Sequence, residues 1–173
     1  MLRHAKSSWT DPTQRDIDRP LNDRGQTASA LIAQYMSEQN LKPDRILCST
    51  AQRTRQTLQI LQDVWHEDSI DLEFHRSLYD DMEETYLPII RREGKSAQTL
   101  MVIAHNNAIH ATAMTLLGKD PHDLAEDMAF KYPTGTLSVF SFDIQNWQNL
   151  SPRSGALQRF VKPRALAETG AGL

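Results

Sequence analysis

A three-layer α/β/α sandwich with a mostly parallel central sheet is the fold class this sequence predicts, and three observations carry it. Short apolar runs alternate with stretches of helical periodicity through most of the chain, the order expected of strand–helix–strand units. Residues 99–104, Thr-Leu-Met-Val-Ile-Ala, are almost continuously apolar, as a strand covered on both faces must be. Three apolar runs end on cationic or imidazole residues: Leu2 leads into Arg3-His4, residues 45–48 into Ser49 to Thr57, and residues 101–104 into His105-Asn106-Asn107. Strand carboxyl ends in an open α/β sheet converge on the ligand crevice, so these three stretches mark a candidate site.

Taken in order, the chain opens on the end of a strand that delivers Arg3 and His4 into a polar loop. Only Met1 and Leu2 stand ahead of Arg3. Residues 11–19 are too polar to bury. Arg19-Pro20-Leu21-Asn22 then prepares a helix with Asn22 or Asp23 as N-cap. Ala28, Leu31, Ile32, Tyr35 and Met36 recur at helical spacing, which predicts an amphipathic helix over 24–39. Pro43-Asp44 breaks it, and 45–48 is a short buried strand. Ser49 or Thr50 caps a second helix with Leu58, Ile60, Leu61 and Val64 inward. Residues 70–74 alternate apolar and acidic, as an edge strand does. Residues 83–92 predict a helix that Pro88 kinks or starts late, with Gly94 ending it. A helix over 107–117 stops at Gly118, and strands over 135–142 and 155–161 pair as a terminal hairpin. From Lys162 the chain reads as a mobile tail, giving one domain over 1–162 and a tail over 163–173.

Bulk properties narrow the function classes. A chain of 173 residues suits a single domain with a full core. Lys+Arg 19 against Asp+Glu 22 leaves a net charge of −3, so no basic field exists to hold nucleic acid. No apolar run approaches the ~20 residues of a membrane span. The single cysteine, Cys48, cannot build an internal disulfide and fits a reducing cytoplasm. Oligomeric state is not legible.

Spacing also tests the mechanisms that these residues could support. A cysteine phosphatase needs five residues between Cys and Arg, whereas Cys48 is separated from Arg53 by four and from Arg55 by six. A glycine-rich P-loop is absent from the sequence. His105 and His110 are five apart, about 140° round a helix, so they do not share the face a metal pair needs. No metal or other cofactor is implied. His66, His75 and His122 sit in polar stretches and read as surface residues.

Arg3-His4-Ala5-Lys6-Ser7-Ser8-Trp9, Arg19-Pro20-Leu21-Asn22-Asp23-Arg24-Gly25, Ser49 to Thr57 and Ala104-His105-Asn106 stand in an order and spacing that resemble the histidine phosphatase superfamily. The likeness is greatest to its small SixA-like branch of phosphohistidine phosphatases. It runs from residue 1 to about 162, and Arg-His-Ala stands where the family has Arg-His-Gly. The resemblance implies a phosphoglycerate mutase-like fold and a set of roles. His4 would become phosphorylated, while Arg3, Arg53 and His105 would hold the phosphate. Arg19 would either touch the phosphate or merely cap or bridge.

These roles agree with what phosphoryl transfer demands. The reaction is mostly positioning and stabilisation of charge on three equatorial oxygens, with attacker and leaving group in line. Neutral imidazole is a competent nucleophile, and guanidinium binds phosphate bidentately without losing its charge. Arg53 and Arg55 lie two apart at a helix start and cannot share a face; the resemblance puts Arg53 in the pocket and Arg55 in solvent. Larger members of the resembling family protonate the leaving oxygen with a carboxylic acid after the third strand, and the resemblance puts Asp80 in that slot, with Asp81, Glu83 and Glu84 as competitors. The expected substrate is a phosphohistidine protein or a small phosphorylated metabolite. A non-catalytic phosphate-binding module is the alternative, and a phosphomutase is the poorer third.

Overall fold

The computed structural model describes residues 1–66, 70–80 and 85–169. Seven strands form one sheet: β1 (Leu2–Arg3), β2 (Arg45–Ser49), β3 (Asp71–His75), β4 (Leu100–Ala104), β5 (Leu117–Lys119), β6 (Leu137–Phe142) and β7 (Gly155–Val161). Their order is β3-β2-β4-β1-β6-β7-β5. β3, β2, β4 and β1 run parallel, while β6 is antiparallel to both β1 and β7. The alternating apolar pattern places β3 at one edge, as expected. Arg45 secures that edge by pairing with Asp71 and Glu73.

Helices cover both faces, and the period-2 alternation of the central strands decides which side chains meet which layer. Ile46, Cys48, Met101 and Ile103 face one core with α1 (Asp23–Glu38) and α2 (Gln52–Trp65), through Ile32, Met36, Leu58 and Leu61. Leu47, Val102 and Ala104 face the other. There they meet α3 (Ser77–Asp80), α4 (Leu87–Glu93), α5 (Ala108–Leu116) and α6 (Ala125–Phe130), through Leu78, Ile89, Ile90, Ile109 and Met128. This is the α/β/α sandwich that the sequence predicts.

Local chemistry explains most helix ends. Asn22 is the N-cap of α1, its side chain accepting from Gly25 N at 2.9 Å. A Cβ on Gly25 would stand 2.2 Å from the Lys6 carbonyl oxygen, so only glycine lets α1 approach the loop after His4 this closely. Pro88 moves the start of α4 to Leu87 instead of kinking the helix, since proline is tolerated in a first turn.

Three expectations need correction. Ala51, not Ser49 or Thr50, is the N-cap of α2, and it makes no side-chain cap bond. Thr54 Oγ1 instead donates back to the Ser49 and Ala51 carbonyls. Gly118 does not end α5, because the chain leaves the helix at Leu117 and enters β5 directly. The segment after Lys162 is not simply a tail. Residues Pro163–Thr169 form α7, which packs on α1 with Leu166 in the core. Its apolar content is one leucine among small residues, too little periodicity to be recognised without its partner helix.

At the amino ends of the strands, a cavity of about 570 Å³ separates β4 from β6 beyond Met1, lined by Leu100, Met101, Val139 and Phe140. It shares no residue with the cluster described next, which lies at the opposite ends of the strands.

Candidate active site

Parallel neighbours β1, β4 and β2 end side by side, and each releases a chemical group at its carboxyl end. β1 delivers Arg3 and His4, β4 delivers His105, and β2 leads through Ser49 into the first turn of α2, which carries Arg53. His4 and His105 face each other with ring centroids 5.0 Å apart. His4, Arg53 and His105 are 8%, 5% and 1% exposed. Arg55, two residues along α2, lies on the solvent side with its guanidinium 4.5 Å over the Phe74 ring.

The backbone around His4 leaves it little freedom. His4 N donates to Ala104 O at 3.0 Å, and Gly135 N donates to His4 O at 3.0 Å. Its Nδ1 is 2.7 Å from the Ala5 carbonyl. A carbonyl only accepts, so Nδ1 carries the proton and Nε2 keeps its lone pair. Burial, opposed by the Ala5 hydrogen bond and reinforced by Arg53 and Arg3, lowers the His4 pKa to about 3. Burial, then His4, Arg53 and Arg3, lowers that of His105 to about 2. Both rings are therefore neutral near pH 7.

Around these rings stand buried nitrogens without partners. Arg3 gives Nη1 to the Tyr132 carbonyl at 2.7 Å, but its Nε is buried with no hydrogen-bond partner. His105 Nε2 is 2.7 Å from Ser49 Oγ, and its Nδ1 is likewise buried and unpaired. Arg19 comes to the edge of the cluster, where its Nε and Nη1 are also buried without partners. Burying charged donors unpaired is costly. An anion here would remove that cost.

Two residues that the sequence reading missed complete the group. Asp16, in a 3₁₀ turn over Asp16–Asp18, accepts from Arg53 Nη2 at 2.9 Å through Oδ2, and its backbone carbonyl accepts from Nη1 at 2.6 Å. Tyr79 donates its hydroxyl to the same Oδ2 at 3.0 Å and sets its ring edge-on to His105, 5.6 Å between centroids. Partial burial opposes ionisation of Asp16, yet Arg53, Tyr79 and Arg19 hold its carboxyl below the usual carboxylate value. No local signal separates Asp16 from the other charges of its loop; only the fold brings it to Arg53.

Asp80 does not join the group. Its carboxylate takes Arg76 Nε at 2.9 and 3.1 Å in an exposed pair on α3. Asp81, Glu83 and Glu84 lie outside the described residues. Cys48 is buried and its thiol is pushed up to about 12 by burial, so it is no nucleophile. His66 and His122 are exposed, whereas His75 is half-buried beside Glu73, 3.2 Å away. Glu73, His75 and Glu93 could in principle meet at a cation, but Arg45, Lys95 and Arg92 already pair with the two carboxylates. That chemistry is a salt-bridge network.

The two buried neutral histidines make acid stability a test of this geometry. Their folded pKa values lie below the ordinary 6.5, at about 3 and about 2, so the unfolded chain binds more protons as pH falls from 6.5. Stability is full above pH 6.5 and is lost on the way down. Each histidine contributes a slope of about 1.4 kcal/mol per pH unit within the window. Denaturant unfolding between pH 6.5 and 5, above most carboxylate titration, should show a slope that drops by one histidine's share in His4→Asn. An unchanged slope would mean that His4 is not buried neutral.

Known proteins resemble this chain in sequence and in fold. The model of the histidine phosphatase superfamily (branch 1) matches residues 1–86. An uncharacterised protein of Mycobacterium tuberculosis is 32% identical over 167 residues, covering 94% of this chain and 100% of its own. A structure from Agrobacterium tumefaciens, described as a candidate phosphohistidine phosphatase SixA, superposes with a TM-score of 0.77 at 32% identity. It covers 94% of this chain and 95% of that one. A second candidate SixA, from Nakamurella multipartitia, gives 0.76 at 28% identity over 94% and 93% of the two chains. With a paired Arg3-His4, a facing His105 and this likeness over nearly its whole length, the chain belongs to the histidine phosphatase superfamily, in its SixA-like branch.

Proposed function

We propose that this protein is a phosphatase that works through a phosphohistidine intermediate on His4, and that phosphohistidine on a protein is its preferred substrate. The observation that carries the reading is the tautomer of His4. With Nδ1–H held by the Ala5 carbonyl, the free lone pair is on Nε2, in a ring kept neutral by burial and by two arginines. The unpaired donors of Arg3, His105 and Arg19 are the groups a phosphoryl anion would satisfy.

Nε2 of His4 forms a bond to phosphorus as the bond from phosphorus to the leaving group breaks, its electron pair departing with the leaving group, which takes up a proton from solvent unless it already carries one. Positive charge appears on the phosphorylated ring, which the phosphoryl oxygens and the Ala5 carbonyl compensate. Water then attacks phosphorus, the P–Nε2 bond breaks, its electron pair returns to the ring, and inorganic phosphate leaves with the water's proton shared between it and solvent. Arg3, Arg53 and His105 serve the equatorial oxygens, where fixed donors act most strongly.

Leaving-group chemistry favours a P–N substrate. Proton donation to a departing oxygen is worth about 10²–10⁴ in rate. Among the described residues, Asp16 is the carboxylate at the cluster; it is held ionised and cannot supply that proton, and Asp80 is paired elsewhere. Phosphohistidine leaves as imidazole, which needs less help. Small phosphoesters with good leaving groups remain reachable. A phosphate-docking module would not need a nucleophile poised as His4 is. A cytoplasmic setting fits the buried thiol of Cys48, and no helix among the described residues is long and apolar enough to cross a membrane.

The test is a panel of a phosphohistidyl protein, nitrophenyl phosphate and an alkyl phosphate, with wild type and Asp80→Asn. We expect kcat/KM to fall in that order, and Asp80→Asn to change none of the three by more than about twofold, the effect of an ordinary exposed ion pair. Efficient alkyl phosphate hydrolysis would defeat the P–N preference. A loss confined to the alkyl phosphate in Asp80→Asn would restore Asp80 as the acid.

A further inference from the structure

Trp9 is 71% exposed, an unusual place for the largest side chain in the chain's first loop. Backbone pairing puts it there. Ser7 and Leu21 form an antiparallel bridge, Ser8 N donates to Pro20 O at 2.8 Å, and Asn22 Nδ2 donates to Ser7 O at 3.3 Å. Continued one step, this register sets Trp9 opposite Arg19. The guanidinium carbon of Arg19 lies 3.4 Å from the indole centroid.

The way Arg19 is held differs from the way Arg53 is held. Arg53 spends Nη1 and Nη2 on Asp16, so two of its in-plane donors are already engaged. Arg19 is anchored through its face. A ring beneath a guanidinium is attracted to the cation without using an N–H, because all five N–H bonds lie in the guanidinium plane. Its nearest carboxylate oxygen, on Asp16, is 3.9 Å from Nε, too far for a hydrogen bond. With its side chain only 14% exposed, Arg19 is fixed in place while Nε and Nη1 stay free.

We propose that Trp9 is a positioning residue for phosphate binding: its indole orients the Arg19 guanidinium and leaves the edge donors of Arg19 for the phosphoryl oxygens. The inference rests on the reading above that the cluster binds a phosphoryl group. Trp9 itself touches no substrate in this scheme.

The experiment is calorimetric titration of inorganic phosphate into wild type, Trp9→Ala, Trp9→Phe, Arg19→Ala and the double variant Trp9→Ala/Arg19→Ala. Binding needs no turnover, so an enzyme that binds phosphate but hydrolyses nothing would defeat the phosphatase reading and leave this inference standing. We expect Trp9→Ala to weaken phosphate about 3- to 30-fold, the range of a cation–π contact, and Trp9→Phe to recover most of it. The double variant should bind no more weakly than Arg19→Ala, because Trp9 acts only through Arg19. Additive losses in the double variant would overturn the inference, as would full affinity in Trp9→Ala or in Arg19→Ala. A merely structural role for Trp9 would weaken binding equally in both backgrounds, and it would not be rescued by phenylalanine.

Discussion

Replacing His4 by alanine should abolish turnover, with a loss of at least about 10⁴ in kcat, the scale seen when a nucleophile is removed from an otherwise intact site. His4 has a free lone pair on a neutral ring, placed at Nε2 by the Ala5 carbonyl, whereas in the proposed role His105 accepts from Ser49 Oγ at Nε2 and presents Nδ1–H. The fold should survive. His4 makes one side-chain hydrogen bond, to its neighbour Ala5, and an average bond of this kind is worth about 1 kcal/mol. The backbone bonds of residue 4 to Ala104 and Gly135 do not depend on the side chain. Wild type quenched in acid during turnover of labelled substrate would lose label, whereas base quenching would retain it, the pattern of a P–N bond. The variant should retain none under either condition. Base-stable label persisting in the alanine variant would move the nucleophile to another residue.

Arg53→Ala should cost about 10²–10³ in kcat/KM, the usual effect of deleting one donor aimed at developing charge, while Arg55→Ala stays within about threefold. The two arginines begin the same helix, but α2 turns Arg53 into the cluster and Arg55 out over Phe74. Arg53 also anchors Asp16, so its removal leaves that carboxylate without its strongest partner, free to repel an incoming phosphate. For this reason Arg53→Lys should recover little, because one ammonium cannot reach both the Asp16 groups and a phosphoryl oxygen. Removing the repulsion as well, in Arg53→Ala/Asp16→Asn, should restore part of the lost affinity. Equal losses for the two alanine variants would mean that the phase of α2 does not control the chemistry.

The expected acid illustrates where sequence reading stops. The resemblance points to Asp80 in the acidic loop after the third strand, yet α3 turns its carboxylate to Arg76 four residues back. Asp16 stands in a run of charges with nothing to distinguish it, and among the described residues it is the carboxylate that reaches the cluster. The C-terminal segment shows the same limit. Leu166 has little periodicity to announce a helix, and α7 exists because α1 offers an apolar surface to it. Helix α2 starts without the side-chain cap that Ser49 and Thr50 suggested, since Ser49 Oγ is engaged with His105.

By itself the sequence determined the layered α/β class, the central place of β4, and the positions of Arg3, His4, Arg53 and His105 at strand ends. Those features rest on patterns that repeat over two to four residues, so the local chain carries them. Tertiary structure alone decided the depressed pKa values of both histidines, the joining of Asp16 to Arg53 and the stacking of Arg19 on Trp9. Each of these depends on contacts between segments distant in sequence, or on burial that no single segment can create. Hydrogen bonds and desolvation act over a few ångströms of space, and only the folded chain sets those distances.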